Sequence, residues 1–361
     1  MTGRGRSAAG TKSRPGSPRL GGGHFRLTFG TAFGSVRSLR TSQLPAFATN
    51  LLEVLKNLRV VLFSCAAAFS VLAHAQTATL SKQPRPLDAL RKAADPQLQA
   101  RLDRVVRGLD LEPMVVTGRL ALALVDLSTP GKPRLAMLNG HRMMYAASLP
   151  KIAILLGAMV EAELGRLPLN EQTLGAMTKM IRYSSNADAT RVLHWVGGER
   201  LIAILQSPRF HFYDANGNGG LWVGKAYGSE PAFRRDPVAH LSHGATAYQV
   251  ARFYTMLEND TLLSHRLNAL MKETLSKPGI RHKFVKGLED RPGARIYRKS
   301  GTWHQWHCDS AIVEHDGRRY IAVGLIENTH GGQWLSSLIV KFDHLVYQTA
   351  PQSVARLDDS R

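Results

Sequence analysis

The sequence predicts an α+β fold in which one antiparallel sheet is assembled from both ends of the folded chain and is flanked by helices. An all-helical subdomain is expected over about residues 148–275. Strand-like patterns occur near residue 120 and return after residue 290, the segment between them has mostly helical periodicity, and an amphipathic helical pattern ends the folded part. We therefore expect a cleft between the sheet and the helical subdomain.

The N-terminal part of the chain is predicted to be separate from the folded domain. Residues 1–52 contain no acidic residue and are rich in Arg, Gly, Ser and Thr, which predicts a disordered extension or one that lies upstream of the true translation start. Residues 53–75 combine a basic start, an apolar run and a final Ala-His-Ala sequence, the pattern of a secretory signal peptide. A lipid anchor at Cys65 fits less well, because ten mostly apolar residues follow it. We expect a secreted, periplasmic protein whose single domain is residues 76–361.

The net charge of +20 overstates how basic this domain is. Residues 1–75 hold ten of the 47 basic residues and one of the 27 acidic ones, so the remainder has 37 and 26, a net charge of +11. This excess could attract anionic cell-envelope glycans or simply give a soluble basic surface. After signal cleavage only Cys308 remains, so no internal disulfide can form.

The first predicted elements follow from the spacing of apolar residues. In residues 86–109 these recur every three or four positions, which predicts an amphipathic helix. Gly118–Ser128 alternates and then becomes apolar, which predicts a strand, and a Thr-Pro-Gly turn connects it to a second strand at Arg134–Asn139.

The helical subdomain begins with the helix that Ser148 opens. This helix is apolar nearly all round, so we expect it to be buried. Further helices extend to about Leu205, and residues 207–245 are predicted to be loop because they are rich in Gly, Pro, Asp and Asn. Helices at Thr246–Glu258 and Ser264–Lys272 complete the subdomain.

The end of the chain returns to β structure. Residues 294–303 are predicted to be a strand, and residues 308–327 a hairpin whose Asp316-Gly317 turn favours positive φ. A closing amphipathic helix is predicted over Gly331–Tyr347.

Three short motifs occur in order: Ser148-Leu-Pro-Lys151, Ser184-Ser-Asn186 and Lys299-Ser300-Gly301. Taken alone, each is explained by a helix cap, a capping turn or a strand-end turn. Their order and settings favour a catalytic site. The first motif opens a buried helix, the second lies in a break between helices, and the third lies at the end of a strand. Positions i and i+3 share a helix face, so a buried and neutral Lys151 amine is a base for the Ser148 hydroxyl.

The other motif residues are predicted to support acyl transfer at that hydroxyl. Ser184 and Lys299 would complete a proton relay, Lys299 would also hold a substrate carboxylate, and the Asn186 amide would bind a substrate carbonyl. The backbone N–H groups of Ser148 and Thr302 would form an oxyanion hole.

The chain resembles the class A β-lactamases and penicillin-binding proteins, whose signature is S-x-x-K, S-D-N and K-T-G. The resemblance extends over residues 87–346 and implies the β-lactamase/transpeptidase-like fold. It implies these roles: Ser148 as nucleophile, Lys151 as its base, Ser184 as proton shuttle, Asn186 as substrate ligand, and Lys299 with Ser300 as carboxylate site. Ser185 stands where class A enzymes have Asp, and "TWHQWH" after Gly301 has no arginine or glycine pair, which leaves the substrate preference open.

A β-lactamase also needs a carboxylate that activates water for deacylation. Glu230-Pro231 precedes the Thr246 helix at about the separation of the class A Glu-Pro, so we predict Glu230 as this base. The alternative is a solvated loop glutamate.

The predicted function is that of a serine β-lactamase-like hydrolase that opens the β-lactam amide through a Ser148 acyl-enzyme. The alternatives are a D-alanyl-D-alanine peptidase or other peptidoglycan amide or ester hydrolase, and a non-catalytic envelope-binding protein with the same fold. We expect a monomer that takes a β-lactam or peptidoglycan peptide, with no cofactor, metal, nucleic acid or membrane span after signal cleavage. His304 and His307 are predicted to lie on opposite faces of one strand, as rim or packing residues.

Overall fold

The structure is a computed structural model and describes residues 90–348. The predictions for residues 1–52 and 53–75 lie outside the described residues. The helices are α1 (Pro96–Gly108), α2 (Glu112–Val116), α3 (Lys151–Glu163), α4 (Glu171–Arg182), α5 (Asn186–Val196), α6 (Gly198–Gln206), α7 (Ala247–Glu258), α8 (His265–Leu275), α9 (Phe284–Gly287) and α10 (Gly331–Gln348). The strands are β1 (Leu120–Asp126), β2 (Arg134–Leu138), β3 (Met144–Tyr145), β4 (Tyr213–Asp214), β5 (Gly219–Gly220), β6 (Trp222–Val223), β7 (His243–Ala245), β8 (Arg295–Trp303), β9 (Trp306–His315) and β10 (Arg318–Glu327).

One five-stranded antiparallel sheet, in the order β2-β1-β10-β9-β8, joins the two ends of the described chain. This confirms the predicted α+β fold. The β9–β10 turn has φ of 44° at Asp316 and 71° at Gly317, as the sequence predicted for this hairpin. Strand β8 is an edge strand, and Lys299 and Ser300 on it face Ser310 and Asp309 of β9.

The sheet is covered on both faces, which explains why β1 is apolar at nearly every position. Leu120, Leu122 and Leu124 pack in the core with α1 and α10. The alternate residues Ala121, Ala123 and Val125 face the other core, which contains α3 and α7. A strand buried on both faces loses the polar alternation of a half-exposed one.

Helix α3 is buried on almost every side, including Lys151, as predicted. The helix begins at Lys151, three residues later than expected, because the preceding residues form tighter i→i+3 turns, such as the Leu149 N–H to the Ala146 carbonyl oxygen at 2.9 Å. Ser148 therefore lies in the turn that leads into α3. The Lys151 N–H donates to the Ser148 carbonyl oxygen at 3.3 Å, an i→i+3 bond that continues this turn into the helix.

Two local predictions were wrong. The segment 207–245 contains four strands of two or three residues, and β7 pairs with both β3 and β6. Such short strands leave no periodicity in a sequence. The two histidines do not share a strand, because the chain turns at His304, where φ is 48°, and His307 belongs to β9.

Among residues 90–348, no helix has both the length and the apolar character needed to cross a membrane.

Candidate active site

The three motifs meet beside a cavity of about 160 Å³ between the helical subdomain and the end of β8. Its walls include Tyr145, Ser148, Asn186, Tyr227, Thr302 and Trp303. A larger cavity of about 670 Å³ lies near the start of β8 and contains no motif residue. The smaller cavity is therefore the candidate active site.

The backbone of β8 packs directly against the turn that presents Ser148. A Cβ atom placed on Gly301 would lie 2.9 Å from the Ser148 nitrogen and 2.3 Å from the Ala146 carbonyl oxygen. Only glycine permits this approach. Ala147, just before Ser148, has φ of 47°, an uncommon conformation for a residue with a side chain.

Lys151 is completely buried below this turn. Its Nζ atom donates to the Ser184 carbonyl oxygen at 2.6 Å and to Asn186 Oδ1 at 2.7 Å. Burial lowers the pKa of Lys151 to about 7, so this amine is neutral in a large fraction of the molecules at neutral pH. The hydrogen bonds of the amine within residues 90–348 do not include Ser148 Oγ, although Ser148 lines the cavity.

Ser184 connects the two lysines of the site. Ser184 Oγ is 3.0 Å from Lys299 Nζ and 3.4 Å from Lys151 Nζ. Its φ of 57° places it in the sharp break between α4 and α5. Lys299 Nζ also donates to the Ser300 carbonyl oxygen at 2.7 Å. Burial, reinforced by the nearby Lys151, holds the pKa of Lys299 well below its usual range.

A buried ion pair fixes the strand that carries Lys299. Arg298 donates to both carboxylate oxygens of Asp309, from Nε at 2.8 Å and from Nη2 at 2.7 Å. Asp309 also accepts from the Phe284 N–H at 3.0 Å. This two-bond contact sets the orientation of β8 against β9 one residue before Lys299.

Lys283 is a third buried lysine, and no sequence pattern indicated its position. Its Nζ atom donates to the Gly301 carbonyl oxygen at 2.6 Å, to Thr302 Oγ1 at 2.8 Å and to the Cys308 carbonyl oxygen at 3.1 Å. Burial lowers the pKa of Lys283 to about 8. It stabilises the end of β8 where Thr302 borders the cavity.

Tyr227 and His243 form a wall of the cavity that the motif analysis also missed. The Tyr227 hydroxyl donates to the Ala147 carbonyl oxygen at 3.1 Å, and its ring centre is 4.3 Å from that of His243. His243 Nε2 is 3.0 Å from the Lys225 carbonyl oxygen. Burial lowers the pKa of His243 to about 4, so this ring is neutral at physiological pH.

Glu230 is not brought to the cavity. Its side chain is exposed in the loop after Tyr227, and it is not among the residues that line the space beside Ser148. None of the described residues that line this cavity is a carboxylate. The assignment of Glu230 as deacylating base stays a prediction that requires the loop to move.

Comparisons with known proteins agree with this fold. Residues 173–350 match the model of the β-lactamase enzyme family. Over these residues the chain is similar to that family. Among solved structures similar to the chain is PBP-A, with a TM-score of 0.53, 15% identity, and coverage of 71% of this chain and 98% of that chain.

Two β-lactamases have the same fold as this domain. The enzyme from Sphaerobacter thermophilus DSM 20745 gives a TM-score of 0.53 at 16% identity, covering 68% of this chain and 95% of its own. A representative class A β-lactamase from Bacteroides cellulosilyticus DSM 14838 gives 0.53 at 12% identity, with 70% and 97% coverage. A search of curated proteins found no match.

Proposed function

We propose that the protein is a serine hydrolase of the β-lactamase type that opens the β-lactam amide by acylation of Ser148. The observation that carries the proposal is the Ser184 hydroxyl between two buried amines, 3.0 Å from Lys299 Nζ and 3.4 Å from Lys151 Nζ. Ser148 borders the same cavity as Asn186 and Thr302.

In the proposed acylation, neutral Lys151 takes the proton of the Ser148 hydroxyl as its oxygen attacks the lactam carbonyl carbon. The C–O bond forms and the C–N bond breaks. The leaving nitrogen receives the hydroxyl proton of Ser184, and Lys151 returns to Ser184 the proton that it took from Ser148, across the 3.4 Å between Lys151 Nζ and Ser184 Oγ. Because Lys299 donates to Ser184 Oγ, the hydroxyl proton of Ser184 is available for that transfer.

Substrate binding is proposed for the groups around the relay. Lys151 Nζ donates a hydrogen bond to Asn186 Oδ1, so the amide N–H₂ of Asn186 remains to donate to a substrate carbonyl. Lys299 Nζ donates to Ser184 Oγ and to the Ser300 carbonyl oxygen, and in its charged form it would have a third proton for a substrate carboxylate at the proposed Lys299–Ser300 site. The N–H groups of Ser148 and Thr302 are proposed to stabilise the oxyanion.

A D-alanyl-D-alanine peptidase is the second candidate, favoured by the cavity without a carboxylate. Such an enzyme needs no rapid hydrolysis of a penicillin ester, whereas a β-lactamase does. One similar structure is an acyl-enzyme complex of a PBP-A variant with penicillin G.

Intact-mass spectrometry during incubation with penicillin tests both candidates. A mass increase equal to one penicillin is expected, and it should be absent from Ser148→Ala. An adduct that decays quickly, together with turnover of a chromogenic cephalosporin, indicates a β-lactamase. A stable adduct together with release of D-alanine from a peptide substrate indicates a peptidase. A wild-type protein that neither forms an adduct nor turns over the cephalosporin refutes the proposal.

Secretion to the periplasm is part of the proposed function. N-terminal sequencing of the exported protein should find a start at Gln76, whereas a mature chain that retains Arg4 would contradict the signal peptide.

A further inference from the structure

Tyr227 connects the cavity wall to the turn that presents Ser148. Its hydroxyl donates to the Ala147 carbonyl oxygen at 3.1 Å, and its backbone N–H donates to Thr190 Oγ1 of α5 at 3.0 Å. Burial raises the pKa of the Tyr227 phenol well above its usual range, so the hydroxyl keeps its proton. It is a permanent donor to Ala147.

This hydrogen bond acts on a strained position. Ala147 has φ of 47°, in the left-handed region that L residues with a side chain avoid. On the other side of the turn, β8 lies so close that Gly301 has no room for a Cβ atom beside the Ala146 carbonyl oxygen. The turn is therefore held between β8 and Tyr227, and Ser148 follows directly.

The ring of Tyr227 also faces the base. Lys151 Nζ lies 4.4 Å from the ring centre, within the range in which an aromatic face stabilises an ammonium ion. The other titratable groups near this amine are Lys299 on β8 and His243 on β7, and each interacts unfavourably with a charged Lys151. Within the described chain Lys151 forms no salt bridge, so Tyr227 supplies the attraction that a carboxylate would otherwise supply.

We propose that Tyr227 is a positioning residue for acylation: its hydroxyl holds the Ala147 turn behind Ser148, and its ring stabilises the charged form of the Lys151 amine. This inference rests on the proposed acylation of Ser148. The family motifs do not include Tyr227, which lies in the loop between β6 and β7.

Two substitutions separate the two contacts. Tyr227→Phe keeps the ring and removes the donor, whereas Tyr227→Leu keeps much of the apolar volume and removes both. Tyr183→Phe is the matched control, because Tyr183 is 63% exposed and does not line the cavity. Thermal melting establishes that each variant is folded.

The titration of Lys151, followed by NMR of its side-chain carbon and nitrogen atoms without substrate, reports the ring contact. The signal is assigned with Lys151→Arg. Loss of the ring should lower the titration midpoint by about one pH unit in Tyr227→Leu, and the midpoint should not change in Tyr227→Phe. An unchanged midpoint in Tyr227→Leu would overturn the role of the ring.

The acylation rate constant with labelled penicillin reports the hydroxyl contact. A loss of about fivefold is expected in Tyr227→Phe and none in Tyr183→Phe, since one hydrogen bond of ordinary strength is removed. If the wild type is acylated and Tyr227→Phe has the same acylation rate constant, the role of the hydroxyl is overturned. If the wild type is not acylated at all, the proposed function fails, and the NMR titration still decides whether the ring stabilises the Lys151 ammonium.

Discussion

Gly301→Ala should damage acylation far more than it damages the fold. The added Cβ atom would lie 2.3 Å from the Ala146 carbonyl oxygen and 2.9 Å from the nitrogen atoms of Ser148 and Leu149. Non-bonded carbon contacts are comfortable near 3.5 Å, so β8 and the Ser148 turn must separate by about 1 Å. A displacement of that size at reacting groups lowers a rate by about 100-fold. Overpacking of this kind destabilises a fold by about 1–3 kcal/mol.

The assay compares acylation by labelled penicillin with urea unfolding in Gly301→Ala and in Gly175→Ala. Gly175 lies in α4 with no atom within 4 Å of an added Cβ, so its substitution should stabilise the fold by about 1 kcal/mol and leave acylation unchanged. Wild-type acylation and stability in Gly301→Ala would refute the reasoning that β8 is pressed against the Ser148 turn.

Four further predictions concern charged groups. The pKa of Lys151 is about 7 in the folded protein and 10.5 in the unfolded chain, so its contribution to stability should fall by on the order of 5 kcal/mol as pH drops from 10.5 towards 7. Lys151→Met should therefore raise the unfolding free energy at pH 7 while abolishing acylation. The same pKa should make acylation fall about tenfold per pH unit below pH 7, and a flat profile from pH 5 to 8 would exclude Lys151 as the base. Glu230→Gln should prolong the acyl-enzyme lifetime in mass spectrometry if the loop brings this carboxylate to the ester, whereas a lifetime equal to that of the exposed-site control Glu112→Gln would rule Glu230 out. Arg298→Met should lower the unfolding free energy by about 3–5 kcal/mol in urea, because Asp309 keeps a buried charge without its partner, and a loss below about 1 kcal/mol would contradict that account.

The sequence predicted the order of the elements well because each long element has its own pattern. The sheet strands, the buried helix α3 and the closing helix α10 all occur where periodicity placed them. The start of α3 was misplaced, since Ser148 lies in an i→i+3 turn that leads into the helix, and this turn leaves no separate pattern in the sequence. The two-residue strands β3 to β6 carry too few side chains for any periodicity.

The residues of the proposed relay could be singled out because they belong to recognisable motifs, whereas the residues that support them could not. Tyr227 and Lys283 lie in loops, and their contacts depend on how distant segments pack. Nothing in a single sequence states that a loop tyrosine faces Lys151. For the same reason the exposed position of Glu230 was not evident from its separation from the next helix.

The bond between Ser184 and Lys299 joins residues 115 positions apart, one between α4 and α5 and the other on β8. The proposed proton path therefore requires that the helical part and the sheet stay packed against each other. A small separation of the helical part from the sheet, with both still folded, would abolish the proposed activity. Loss of activity should thus precede loss of helical signal when the protein is heated, and recover fully on cooling.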